Sequence, residues 1–360
     1  MALGTTISRR RVSWRFVASL LIKTAVLAGT FGFIYHKVFH NQNIAQIKSQ
    51  FEGLINNWQD LMLLSAVIGL MLLNWGLEAH KWKFLLRKIE SLSFMKSLKS
   101  IFAGACVSIF TPNRLGEFGG RIFYLSRSNR LSGVFITLLG NMGQLAIALT
   151  AGLLGTLLFI NCFHPFMLNT NGWLIASTIS LLGIVTIFGL LFNPNKVGAF
   201  LKIIPTWIGI KLKERFSSKW MGCANLFKLY SLKDLFWLIF LSALRFTVYC
   251  IQFYLLLYVL GISLPVLQGM VLIIMCFFTL TIVPTITLSE LGIRGSVAIY
   301  FIGHLSQDSM GILAASFSLW VINLVIPAII GSYFVYRIKL FSSSNPQDSS
   351  CGQIAPVHLG

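Results

Sequence analysis

Two stretches of this chain repeat one pattern of charged residues. Glu117-Phe118-Gly119-Gly120-Arg121 and Glu290-Leu291-Gly292-Ile293-Arg294 both read E-x-G-x-R, and each follows an apolar run and a proline, Pro112 or Pro284. A carboxylate near an arginine can hold one edge of the guanidinium fork by paired hydrogen bonds and leave the other donors for a phosphate. Lysine offers the charge without that geometry. Arg114 adds another guanidinium to the first copy. Arg245 stands in the middle of an apolar run, where an unpaired charge costs at least about 2.5–3.5 kcal/mol, so it requires a partner or water. An ion pair with Glu290 or Glu117 and a direct ligand contact fit it equally well. Arg114, Glu117, Arg121, Arg245, Glu290 and Arg294 are therefore the candidate anion-binding residues. Pro112, Gly116, Gly119, Gly120, Pro284, Gly292 and Gly295 are candidate points where a helix breaks or hinges.

The bland alternative is an interfacial turn with snorkelling arginines. Other polar residues in apolar runs read first as interhelical glue: Asn74 and Glu78, which share a helix face at i, i+4, then Asn141, Gln144 and Asn323. The tryptophans, including Trp58, Trp75, Trp82, Trp173, Trp207, Trp220 and Trp237, read mostly as interfacial belts at span ends.

The elements that must position these groups are membrane helices. Of 360 residues 56% are hydrophobic and 11% charged, and apolar runs of spanning length recur, so a soluble core is not the relevant picture. Spans are expected at about 17–35, 58–79, 132–160, 173–192, 235–260 and 311–336. Two more apolar runs, about 97–111 and 266–283, end in the polar segments that carry the motifs. The expected fold is thus all-α and polytopic, with about six full spans and two re-entrant or broken hairpins, about eight membrane segments in all.

The formal net charge of +19 is first a topology signal. Four arginines precede the first span, ten Lys/Arg lie in 81–130 and eight in 193–234, whereas 161–172 and 261–265 carry no charge. These segments hold 22 of the 29 basic residues, which removes the main support for nucleic-acid binding. The basic segments are expected to be cytoplasmic, with both termini, and the membrane to be the cell (inner) membrane. The N-terminal run reads as a retained signal anchor. Residues 341–360 read as a disordered cytoplasmic tail, and the rest, 1–340, as one transmembrane domain.

Asp60-Leu61 and Asp234-Leu235 open long apolar helices at nearly the same distance before the two motifs. A duplicated unit is inferred, about 58–130 and 232–306. Counting crossings against the charge bias makes the two units inverted, and Arg294 then falls on the uncharged side, where positive-inside bias cannot explain it. Replacing the second hairpin by full spans at 266–283 and 291–306 satisfies the same parity. Inverted repeats with interrupted helices build midplane binding sites in transporters.

Six scattered cysteines and six histidines show no metal spacing, and no Walker, Rossmann, H-E-x-x-H or nucleophile-elbow motif occurs, so neither cofactor, metal nor enzymatic activity is expected.

N-W-x-x-E-x-x-K-W (Asn74 to Trp82), T-P-N-R-L-G-E-F-G-G-R (Thr111 to Arg121) and P-T-x-T-L-S-E-L-G-I-R-G (Pro284 to Gly295) together resemble the transmembrane, flippase-like region of the lysylphosphatidylglycerol synthase family, over roughly residues 10–340. The resemblance implies movement of an anionic or aminoacylated lipid between leaflets. In the family the aminoacyl-transferring part is a separate soluble domain, which is not expected in this chain. Stand-alone relatives are associated with other lipids and with isoprenoid-linked sugars. The expected ligand is therefore an anionic phospholipid or a polyprenyl phosphate, with a synthase as a conceivable partner. Competing readings are a lipid-linked sugar or phosphate transferase using Glu117 or Glu290 as base, and a non-transporting lipid-binding scaffold.

Overall fold

A computed structural model describes residues 58–108, 111, 115–193, 223, 225–283 and 287–336, the last segment with side chains from 292 onward. The first expected span, most of the basic 193–234 segment and the C-terminal tail lie outside the described residues. Ten α-helices follow one another among the described residues: α1 (Trp58–Leu86), α2 (Phe94–Ser108), α3 (Gly116–Ile122), α4 (Arg130–Phe163), α5 (Thr170–Leu191), α6 (Leu232–Val259), α7 (Val266–Ile282), α8 (Thr287–Ile302), α9 (Ser309–Trp320) and α10 (Ile326–Tyr336). A π-helical turn, Val321–Val325, joins α9 to α10.

Among the described residues, five stretches are long and apolar enough to cross a membrane: Trp58–Leu86, Arg127–Phe163, Thr170–Leu191, Leu232–Val259 and Ser309–Val335. They coincide with five of the six expected spans. The two motif-bearing hairpins are built from shorter pieces, α2 of 15 residues with α3 of 7, and α7 of 17 with α8 of 16. Each piece is under the roughly 20 residues of a straight crossing. Gly292 and Gly295 lie inside α8, whereas α7 ends at Ile282 with Val283 already extended.

Local chemistry sets the helix ends. Ser231 caps α6 in a reciprocal box with Asp234, and Asn169 and Asp308 accept from Gly172 N–H (2.8 Å) and Gly311 N–H (2.9 Å) at the starts of α5 and α9. α6 stops at Gly261, whose φ of +82° suits a residue without Cβ, and Ile262 N–H then reaches back to Leu257 O at 2.9 Å.

α1 and α6 lie side by side and run antiparallel. Gln252 donates to Val67 O, Arg245 to Glu78 and Arg87 to Asp234, so partners climb one helix as they descend the other. α2 packs on α3 and α10, α7 packs on α4 and α8, and α6 also meets α4 and α9. The centre is filled by Trp82, Ile101, Leu238, Leu257, Leu272 and Ile312. α5 is the opposite case: Leu174, Ile179, Leu182 and Val185 are exposed, a face suited to hydrocarbon rather than water.

Candidate functional site

The site is built around a residue that sequence reasoning took for glue. Glu78 of α1 is 1% exposed and gathers three cations. Arg121 Nη2 donates to its Oε1 at 2.8 Å, Arg245 Nη1 to its Oε2 at 2.6 Å, and Lys81 Nζ lies 2.7 Å from the same oxygen. Asn74, one turn earlier, accepts from Arg245 Nε at 2.6 Å. Asn74, Glu78 and Lys81 recur at i, i+4, i+7, so one face of α1 presents all three toward α3 and α6. Arg245 sits 13 residues into α6, roughly 20 Å from that helix's start.

Arg121 also pairs with Glu117, one turn before it on α3. The i, i+4 spacing aligns the two side chains, and the guanidinium lies over Trp82 at 5.4 Å. α3 itself is held against α2. Gly116 and Gly120 meet the α2 backbone at Val107 and Ala103, where a Cβ would overlap, and Ser100 Oγ donates to Arg121 O at 2.9 Å. Among the described residues, Gly119 has nothing within 4 Å of its Cβ direction. Two of the candidate hinge glycines are thus helix-packing contacts.

Beside this cluster opens a cavity of about 300 Å³. Among the described residues its charged lining members are Glu117 and Arg245, with Asn141, Gln144, Tyr249 and Trp75 among the polar and aromatic ones. Its wall draws on α1, α2, α3, α4, α6, α7 and, through Leu324, the π turn. Arg245 lies 5.9 Å from the Trp75 ring and 5.8 Å from that of Tyr249. Among the described residues, Trp75 Nε1 and Gln144 Oε1 on the wall, and Asn74 Nδ2, Ser242 Oγ and Arg121 Nε, are buried without a hydrogen-bond partner. An unsatisfied buried polar atom costs about 1–3 kcal/mol, so this wall favours a polar occupant.

Charge does not balance here. Lys81, Arg121 and Arg245 exceed Glu78 and Glu117 by one among the described residues. At membrane depth such an excess is a binding potential for an anion.

Of the six candidate binding residues, Glu117, Arg121 and Arg245 come together. Arg245 does require a partner, but the partner is Glu78. Arg294 is half-buried on α8 and is not among the described residues lining the cavity. Arg114, Pro112, Pro284 and the side chain of Glu290 lie outside the described residues. Trp75 and Trp82 are buried beneath the arginines instead of marking an interface, and Asn141 and Gln144 face the cavity. Asn323 keeps the core role expected of it: in the π turn it donates to Gln252 Oε1 at 2.9 Å. Gln252 and Tyr249 were not singled out from sequence, and Lys81 entered only as the lysine of the N-W-x-x-E-x-x-K-W motif, with no role given to it. The signal for Lys81 was present, because it continues the polar stripe of Asn74 and Glu78.

Comparison with known proteins completes the picture. The family described as lysylphosphatidylglycerol synthase TM region matches residues 16–331, and the chain belongs to that family. No curated protein and no solved structure matches it.

Proposed function

We propose that this multi-pass member of the lysylphosphatidylglycerol synthase TM-region family is a lipid translocator and not an enzyme. Its cavity receives the anionic headgroup of a phospholipid or an isoprenoid-phosphate-linked lipid while the tails stay in the bilayer. The observation that carries this reading is the buried one-charge excess of the Arg245, Arg121 and Lys81 cluster, which reaches a cavity through Arg245 and Glu117, and that cavity's wall still holds polar atoms without a partner among the described residues. A headgroup phosphate supplies the missing negative charge and acceptors for the arginine forks.

The arrangement of the helices supports access from both sides. The opening helices of the two units, α1 and α6, are antiparallel neighbours. α2 of the first unit packs on α10, which follows the second unit, and α7 of the second packs on α4, which follows the first. This crosswise exchange supports the reading of the two units as an inverted repeat whose interface would hold the site. On this reading the hairpins α2–α3 and α7–α8 are re-entrant, and the second E-x-G-x-R copy, with Glu290 and Arg294, guards the opposite approach. The chain sits in the cell (inner) membrane with both termini cytoplasmic. Without a nucleotide-binding motif in the sequence, movement is downhill or coupled to an ion gradient.

The test is exchange of labelled lipid between leaflets of liposomes holding the purified, folded chain. Acceleration with an anionic phospholipid or an isoprenoid-phosphate-linked lipid is expected. No acceleration with either class would set the reading aside, and product formation from a lipid phosphate would favour a transferase.

A further inference from the structure

Resting on the anionic-headgroup reading above, the two carboxylates of the cluster have separate duties. Glu78 is closed in by Arg121, Arg245 and Lys81, is 1% exposed and does not line the cavity. It is the fixed counter-ion that lets the cations exist at this depth. Glu117 is different: its side chain is 22% exposed, it lines the cavity, and among the described residues its ion-pair partner is Arg121. A headgroup entering the cavity meets Arg245 and Glu117 together.

We propose that Glu117 sets the charge of the headgroup, so that the site accepts a phosphodiester with one negative charge and rejects dianionic phosphomonoesters and pyrophosphates. With Glu117 in place the described cluster carries an excess of one positive charge. A monoanionic diester brings it to zero. A dianion leaves an uncompensated negative charge there, next to a carboxylate that repels it. Removing the Glu117 charge raises the excess to two and turns the preference toward the dianion. The diester can belong to a glycerophospholipid or to a prenyl phosphosugar, which share this chemistry.

The experiment is equilibrium binding to the full chain in zwitterionic detergent at about pH 8, above the second phosphate pKa of about 6. The probes are short-chain phosphatidylglycerol, a short-chain prenyl phosphosugar, short-chain phosphatidic acid and phosphatidylcholine. The unaltered chain should bind a diester more tightly than phosphatidic acid, and the tighter of the two diesters identifies the source. Glu117→Gln should shift the diester-to-monoester affinity ratio toward the monoester by at least about tenfold, the effect of one unit charge at about 8 Å in an effective dielectric of about 20. Glu117→Asp should retain the original order. Asn141→Asp adds a carboxylate to the same wall without removing an ion pair, and should weaken diester binding even if Glu117→Gln does not fold. An unchanged ratio in a folded Glu117→Gln, or unchanged diester binding in Asn141→Asp, overturns the role of Glu117 and leaves the anion site standing. Anionic lipids binding no better than phosphatidylcholine would instead bring down the anion site itself.

Discussion

Arg245 of α6 and Glu78 of α1 meet at 2.6 Å across an antiparallel helix pair, 167 residues apart in the chain. The contact joins the two opening helices of the expected repeat units near the middle of α6. Arg245 Nε donates to Asn74, so Nε and Nη1 are both committed to α1. Arg121 approaches the second oxygen of Glu78 from α3. One carboxylate thereby fixes three elements relative to each other, and the cavity wall is as rigid as that carboxylate is well held.

Glu78→Gln should accordingly be among the most damaging single changes. It leaves Arg121, Arg245 and Lys81 with too little negative charge, and breaking a buried pair by removing one partner costs about 3–5 kcal/mol. Thermal unfolding in detergent should show a large loss, and the double variant Glu78→Gln with Arg245→Gln should recover part of it. Additive losses in this cycle would mean that the two residues are energetically independent despite their contact.

Arg121→Lys keeps the charge and loses the planar fork that reaches Glu78 and Glu117 and lies over Trp82. Expression should persist while translocation falls by at least about tenfold, and Arg294→Lys should behave alike if the second motif copy does the same work. Full activity in both variants would return these arginines to ordinary interfacial anchors.

How far the sequence reveals this arrangement depends on whether the deciding contact is local. The spans were legible because each apolar run must satisfy its own backbone in hydrocarbon. The Glu117–Arg121 pair was legible because i, i+4 neighbours on a helix meet. That Arg245 needs a partner followed from its surroundings alone. Which partner did not, because packing between distant helices makes the choice, and Asn74 and Glu78 carry the same signature as any hydrogen-bonding helix pair. Continuing the stripe to Lys81 would have exposed it: three polar residues at i, i+4, i+7 in an apolar span mark a buried polar face. Trp75 and Trp82 were read as belt residues by type, whereas their place on that same face fixes them inside.

A pH effect is expected away from the membrane interior. Burial works to raise the Glu90 carboxyl, but hydrogen bonds from the Ser126 hydroxyl (2.7 Å), Asn129 Nδ2 (3.0 Å) and Ser126 N–H (3.1 Å) hold it below the ordinary carboxylate value. A depressed folded value means stability that is present above the unfolded carboxylate pKa of about 4.3 and lost as pH falls through the folded one. The stability advantage of the unaltered chain over Glu90→Gln should thus hold at pH 7 and shrink below about pH 4. A constant difference in thermal unfolding across that range would remove Glu90 from the account.

Topology offers a test independent of any ligand. Reporter tags at the N-terminus, within 193–234 and at the C-terminus should all report cytoplasmic, and a tag in 161–172 external. The basis is the distribution of Lys and Arg, which favours cytoplasmic retention of flanking segments. An external C-terminus would break the crossing parity, and the inverted-repeat reading would go with it.

The three glycines of GEFGG separate packing from hinge motion. Gly116 and Gly120 lie one turn apart on the α3 face that meets α2, and a Cβ at either would overlap backbone at Val107 or Ala103. Backbone cannot rotate away as a flexible side chain can, so α3 would have to move and would carry Arg121 and Glu117 with it. Gly116→Ala and Gly120→Ala should each destabilise by about 1–3 kcal/mol, the usual cost of overpacking, and should weaken anion binding in parallel. Gly119 points where none of the described residues lies within 4 Å. Gly119→Ala should be neutral to stabilising by up to about 1 kcal/mol, since alanine is the better helix former. Thermal unfolding and leaflet exchange measured on the same three variants decide the matter. Gly119→Ala with full stability and full exchange would confine the motif's glycines to close packing, whereas full stability with lost exchange would identify Gly119 as a point where α3 must bend during transport.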